Sequence, residues 1–183
     1  MLLDETKVMV AVAEHWLVGS IPCYGNRIQD ILKDESTNLL RLSDVQICQD
    51  ADLTRPLISL PHVIVPKQNI ELMVLPEGKH EAPVKRWNNL AVRATTNVFA
   101  IMSRYCVRGE LQLPESPSDT ARVLTHQLGT FFPITQASIV GAGIKLTAPV
   151  LFANKRLVHC LYVGDAANVD NGCSEAAPAH CEA

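Results

Sequence analysis

The residues of this 183-residue chain with the most chemical capacity are its six cysteines, its six histidines and a scatter of basic groups. Their spacing limits what they can do. Cys173, His180 and Cys181 are soft donors close together near the end of the sequence, and zinc takes such groups. A structural zinc site closes on four ligands at compact spacing and three stand here, so no metal is expected. His159 and Cys160 add nothing to one site, because neighbouring residues of a strand point to opposite faces. The cysteines (Cys23, Cys48, Cys106, Cys160, Cys173, Cys181) form no CxxC pair, and in an intracellular chain of this size they read as free thiols. Cys106 and Cys160 stand inside apolar runs and are expected to be buried and inert.

Cysteine and histidine are also the residue types of nucleophilic catalysis. The chain nevertheless holds no GxSxG elbow, no HExxH, no phosphate loop and no GxGxxG turn. Gly141-Ala142-Gly143 matches only the start of a dinucleotide turn and lies between two strands, so it reads as a tight turn. Ser43-Asp44 and Asp30 read as turn and helix-surface groups rather than an acid pair. The expectation is a protein that is not an enzyme and takes no cofactor.

Basic residues are the remaining candidates. Lys145, Lys155 and Arg156, with Arg104 and Arg108, could form a basic face on the second half, and Lys67 is the counterpart of Lys155 in the first. Aromatic residues for base stacking are scarce: Tyr105, Phe152 and Tyr162 are in reach by sequence, and their apolar neighbours indicate core burial. The net charge of −3 and isoelectric point near 6.0 argue against a dominant phosphate contribution. Nucleic-acid binding through Lys67, Lys145, Lys155 and Arg156 is therefore the alternative reading.

The elements that must position these residues come from composition and pattern. Apolar residues make up 48 % and charged residues 19 %, enough for a packed core and outside the disordered, collagen-like and coiled-coil classes. The longest apolar run near the start, Val8 to Ala13, is far short of the roughly 20 residues that span a bilayer. Asp4 and Glu5 stand where an export signal carries positive charge. The chain is expected to be cytoplasmic.

An internal repeat dominates the pattern. With a shift of 88 to 92 residues, three blocks meet their counterparts in the same order. Val8–Val12 meets Val98–Met102, with Gly19 meeting Gly109. Leu39–Ile47 meets Phe131–Ile139. Val63–Ile70 meets Leu151–Val158, placing Lys67 on Lys155. Each half reads as mostly β, with alternation at Val8, Val10 and Val12 and at Leu40, Leu42, Val45 and Ile47. Gly19 and Gly109 mark a bulge or sharp bend. The closing strands are Val63–Val65 and Ile70–Leu75.

Each half also has room for one short helix. Asn26 is the expected cap of the first, with Gln29 three residues on and Ile28, Ile31 and Leu32 on one apolar face. For the second, Ser116 caps, Pro117 and Asp119 suit the first turn, Ala121, Leu124 and Leu128 form the face, and Gly129 stops it. The expected organisation is a first β-rich repeat over 1–76, a linker over 77–97, a second repeat over 98–163 and a mobile tail over 164–183. Residues 8–76 carry net −3 and residues 98–163 net +3, an asymmetry that favours contact between halves or head-to-tail self-association.

Short strands around a pivotal glycine, followed by Val63-Ile64-Val65-Pro66-Lys67-Gln68-Asn69-Ile70, resemble the Sm-like (Hfq-type) fold. Val18-Gly19-Ser20-Ile21 and Arg108-Gly109-Glu110-Leu111 stand where that family has the glycine of its first block. The pattern departs from the family in two ways. The helix would interrupt the strands rather than precede them, and the histidine after the lysine is Gln68 in one copy and Arg156 in the other. The duplicated pattern is also similar to bacterial proteins of unknown function. The resemblance implies a mainly β, α+β chain of two small Sm- or SH3-like barrels. The functional expectation is a non-enzymatic interaction or assembly module whose partner is itself or another protein.

Overall fold

The computed structural model describes residues 5–50, 52–77, 94–113 and 122–164. The fold is mainly β. In chain order the strands are β1 (Glu5–Val12), β2 (His15–Pro22), β3 (Leu39–Gln49), β4 (Asp52–Pro66), β5 (Ile70–Leu75), β6 (Ala94–Met102), β7 (Cys106–Leu113), β8 (Phe131–Gly141), β9 (Ile144–Asn154) and β10 (Val158–Gly164). A short helix α1 (Ile28–Lys33) joins β2 to β3, and one π-helical turn (Val123–Gln127) precedes β8 at the matching place.

All the strands pair antiparallel in one ten-stranded sheet of order β10-β6-β7-β8-β9-β5-β1-β2-β3-β4. Read by halves, the order is β5-β1-β2-β3-β4 and then β10-β6-β7-β8-β9. The fifth strand of the first half, β5, meets the fourth strand of the second, β9. Among the described residues the pairing runs through one open sheet ending at β4 and β10, and two separate small barrels are not seen.

The matched registers extend to single residues. Val8 faces Gly19 and Val98 faces Gly109. The next pairing slips at the same place in both halves, between Val18 and Ser20 and between Arg108 and Glu110. The slip is steric in origin. A Cβ on Gly19 would stand 2.8 Å from the Ser43 carbonyl oxygen, and one on Gly109 2.6 Å from that of Thr135. The backbones cross too closely there for any side chain. Asp44 and Gln136, at φ near +50°, complete the bend in the facing strands. Gly109→Ala is therefore expected to destabilise the fold by about 1–3 kcal/mol through overpacking. A midpoint of chemical denaturation equal to that of the parent would contradict this.

Apolar side chains pack into two clusters. One is built mainly by the second half, around Val98, Val107, Phe132, Ile134 and Ile139. The other is built mainly by the first, around Val8, Leu17, Leu40, Leu42 and α1 residues Ile28 and Leu32. The halves interlock at β5 and β9. Leu72 and Val74 of β5 enter the second-half cluster, while Val150 and Phe152 of β9, with Phe131 at the start of β8, enter the first-half cluster.

Several local expectations differ from the structure. The N-cap of α1 is Arg27 rather than Asn26, with no side-chain cap; the Asn26 amide instead donates to the Cys23 carbonyl at 2.8 Å. Gly129 lacks the left-handed backbone of a glycine stop, and the turn before it ends on extended Leu128. Ser116, Pro117, Asp119 and Ala121 lie outside the described residues. Strand β6 begins at Ala94, inside the segment read as linker. Strand β4 runs from Asp52, well before the Val63–Val65 strand expected; Pro56 and Pro61 obscured it, and proline is tolerated there because β4 is an edge.

Candidate functional site

The two lysines at the repeated block have a structural position. After β4 and after β9 the chain makes one 3-10 turn, Lys67–Asn69 and Lys155–Leu157. The amide of each lysine donates at 2.8 Å to a carbonyl just before the third strand of its half, Asn38 or Thr130. Their ammonium groups cap helical carbonyls, which are otherwise unsatisfied at a helix end. Lys67 Nζ donates to Ile31 and Asp34 oxygens at 2.6 and 2.7 Å. Lys155 Nζ lies 3.2 Å from the Leu128 oxygen and 3.4 Å from that of Thr125. Burial pulls the Lys67 ammonium below the usual lysine range, and nearby Asp34 partly offsets this. The spacing that suggested a nucleic-acid site is thus also the spacing of a helix-capping device used in both halves.

Arg156 is exposed. It lines, with Lys33, Asp34, Glu35 and Gln68, a cleft of about 710 Å³ beside Lys67. Lys145 is exposed near the opposite end of β9, ten residues from Lys155, or roughly 33 Å along a strand. The structure therefore gathers Lys67 and Arg156 but not Lys145. Arg108 lies over the Phe99 ring at 5.4 Å, and Arg104 turns inward. Tyr105 and Phe152 are buried, as their neighbours indicated; Tyr162, on edge strand β10, is half-buried.

Arg104 belongs to a buried polar cluster where the halves meet. It pairs with the Asp50 carboxylate and donates to the Ala13 carbonyl. The Tyr105 hydroxyl donates to Asp50 Oδ1 at 2.7 Å, and its ring meets Trp16 edge-on at 5.7 Å. Glu71 is buried beside them on β5. Burial pushes its carboxyl above the usual range, while the amides of Arg104 and Ser103 and nearby His159 act in the opposite direction. The Ser103 hydroxyl and His159 Nε2 lie 3.1 Å apart. Sequence reasoning passed over this cluster, although a lone acid inside the apolar run Ile70–Leu75 was its visible signal.

A carboxyl whose folded pKa is raised binds more protons in the native state than in the unfolded one. Glu71 thus contributes a loss of stability as pH rises from about 4.5, its unfolded value, through the raised folded value. Glu71→Gln is expected to flatten that part of the stability–pH curve in thermal melts. An unchanged slope would contradict the assignment.

The cysteines divide differently from expectation. Cys23 and Cys48 are buried, and burial pushes the Cys48 thiol up. Cys106 is only half-buried and Cys160 is exposed on β10, so the expected burial of these two is corrected. Among the described residues β10 is the end strand of the sheet, which leaves Cys160 uncovered, whereas Cys106 lies at the start of the interior strand β7. Cys173, His180 and Cys181 lie outside the described residues. Among the described residues, no group of three or more His, Cys, Asp or Glu side chains is placed to hold a metal ion, and no helix is long and apolar enough to cross a membrane.

Exposed large apolar side chains gather mainly around β4, with Tyr24 and Val140 exposed elsewhere. On β4, Leu57, Ile58 and Ile64 are exposed, and Leu39 is exposed at the start of adjacent β3. At the other end Ile101 and Cys160 are exposed. Comparison of the chain with protein-family models, with curated proteins and with solved structures gives no match.

Proposed function

We propose that this protein is a non-enzymatic, cytoplasmic assembly module that associates with itself through its sheet edges. In this reading the halves are two copies of one small Sm-like unit. The repeated strand order, the paired glycine crossings at Gly19 and Gly109, and the paired capping lysines support the duplication. The observation that carries the functional reading is the open sheet. Among the described residues it ends in β4 and β10, and β4 exposes Leu57, Ile58 and Ile64. Such edges are templates for strand addition by another chain.

The competing reading is nucleic-acid binding through exposed Arg156 beside the cleft at capped Lys67, with capped Lys155 next to it in sequence and exposed Lys145 at the far end of β9. Salt separates the two. A complex that neutralises phosphates weakens steeply as salt rises, whereas association through apolar strands responds little. Sedimentation velocity across a concentration series at low and moderate salt is expected to show a reversible oligomer at both, free of nucleic acid. A monomer at every concentration, or oligonucleotide binding with a steep salt dependence, would overturn the proposal.

A further inference from the structure

The turn between β6 and β7, Ser103-Arg104-Tyr105, belongs to the second half but is tied to the first largely by charge. It closes on itself as the Met102 amide donates to the Tyr105 carbonyl at 2.8 Å. The amides of Ser103 and Arg104 donate to the Glu71 carboxylate of β5. The Arg104 guanidinium pairs with Asp50 and donates to the Ala13 carbonyl, and the Tyr105 hydroxyl donates to Asp50. Against the turn lies a row of apolar residues across three strands. Leu72 faces Ala11, which in turn faces Trp16. All three are buried, and the Trp16 ring meets Tyr105 edge-on.

The matching row of the second half has a different fate. There Cys160 faces Ile101, which faces Cys106. Ile101 and Cys160 are exposed and Cys106 is half-buried. Among the described residues, the first-half row is the one that such a turn covers.

Glu71 reaches the turn because β5 bulges. Ala11 faces Leu72 while the next residue, Val12, faces Ile70, which leaves Glu71 as the extra residue. A bulge of this kind re-aims a side chain. Glu71 is 5 % exposed, and its Oε1 has no hydrogen-bond partner. The groups facing it are His159 from β10 and Arg104 and Tyr105 from the turn, with Asp50 behind them at the end of β3. Arg104 is committed to Asp50, so among the described residues no ion pair holds the Glu71 carboxylate. Burial favours the protonated carboxyl and outweighs the two amides and His159. A buried carboxylate with one oxygen unpartnered gains from contact with water.

We infer that the β6–β7 turn is a clasp on the first half that loosens when Glu71 ionises, uncovering Trp16 and the row beside it. The closed clasp holds its proton to a higher pH than an opened and hydrated one, so ionisation favours opening. The opening constant therefore rises about tenfold per pH unit from 4.5 up to the raised closed-state value, and then levels. The clasp lies within one molecule, so it goes beyond the proposed self-association and stands without it.

Residue-resolved amide hydrogen exchange of the full chain from about pH 4.5 to 8, corrected for intrinsic rates, tests the clasp. Protection at Ser103 and Arg104 is expected to fall about tenfold per pH unit before levelling. It should stay below the protection of Val98 and Val107 in the flanking strands, which open with the whole fold. Glu71→Gln should abolish the slope. His159→Gln removes a positive charge facing the carboxyl and should move the levelling point to higher pH, a readout that holds even where Glu71→Gln does not fold. Protection at the turn that ignores pH, or that equals the flanking strands throughout, would overturn the clasp. So would a slope that survives in Glu71→Gln, as titration of His15 beside Trp16 would give, or a levelling point unmoved in His159→Gln.

Discussion

Phe152→Ala is expected to destabilise the protein by about 3–5 kcal/mol, the range for truncating a large buried aromatic. The expected loss should appear in both halves at once. Phe152 sits on β9, a second-half strand, but its side chain is fully buried in the cluster built by the first half. Leu72 and Val74 make the reverse crossing from β5. A cavity at Phe152 therefore weakens the first-half core and loosens the strand that anchors the second. Calorimetry should give one cooperative transition at lower temperature, with the calorimetric and van't Hoff enthalpies in agreement. Two separated transitions, with only the first shifted, would show that the halves fold independently.

Asp50→Ala is expected to cost about 2–4 kcal/mol, because it strands a buried hydroxyl and removes the partner of a guanidinium. Tyr105 loses the acceptor it holds at 2.7 Å, and Arg104 loses its ion pair. The Arg104 side chain keeps 28 % of its exposure, so water screens part of the charge effect, which places the figure below the fully buried case. Asp50→Asn keeps an acceptor for Tyr105 without the charge and should recover part of the loss. Denaturant midpoints of the two variants measure this. A parent-like Asp50→Ala would mean that the cluster contributes nothing to holding β3 against the turn between β6 and β7.

The parts of this architecture legible in the sequence were those set by local pattern. Alternating Val8, Val10 and Val12 gave a strand because that face packs on the first-half core, while Ala11 on the other face is buried in the second-half one. Gly19 and Gly109 stood out because a bulge leaves no room for a Cβ. The lysine of the repeated block was visible, but its role was not. A cation near a turn reads equally as a ligand contact or as a cap until the carbonyls of Ile31 and Asp34 are seen to converge on it. Asp50, Glu71 and Arg104 are far apart in sequence, so only the tertiary fold brings them together. Whether the halves close separately or share one sheet depends on which edge β5 meets. No local signal in Ile70–Leu75 names that partner, and the same ignorance led to the expectation that Cys160 is buried.

Self-association through the sheet edges is tested most directly by amide hydrogen exchange at low and high protein concentration. Protection should rise with concentration along β4, whose Leu57, Ile58 and Ile64 are exposed, while β5 and β9 stay protected throughout. Amides of β4 that exchange equally fast at every concentration would contradict it.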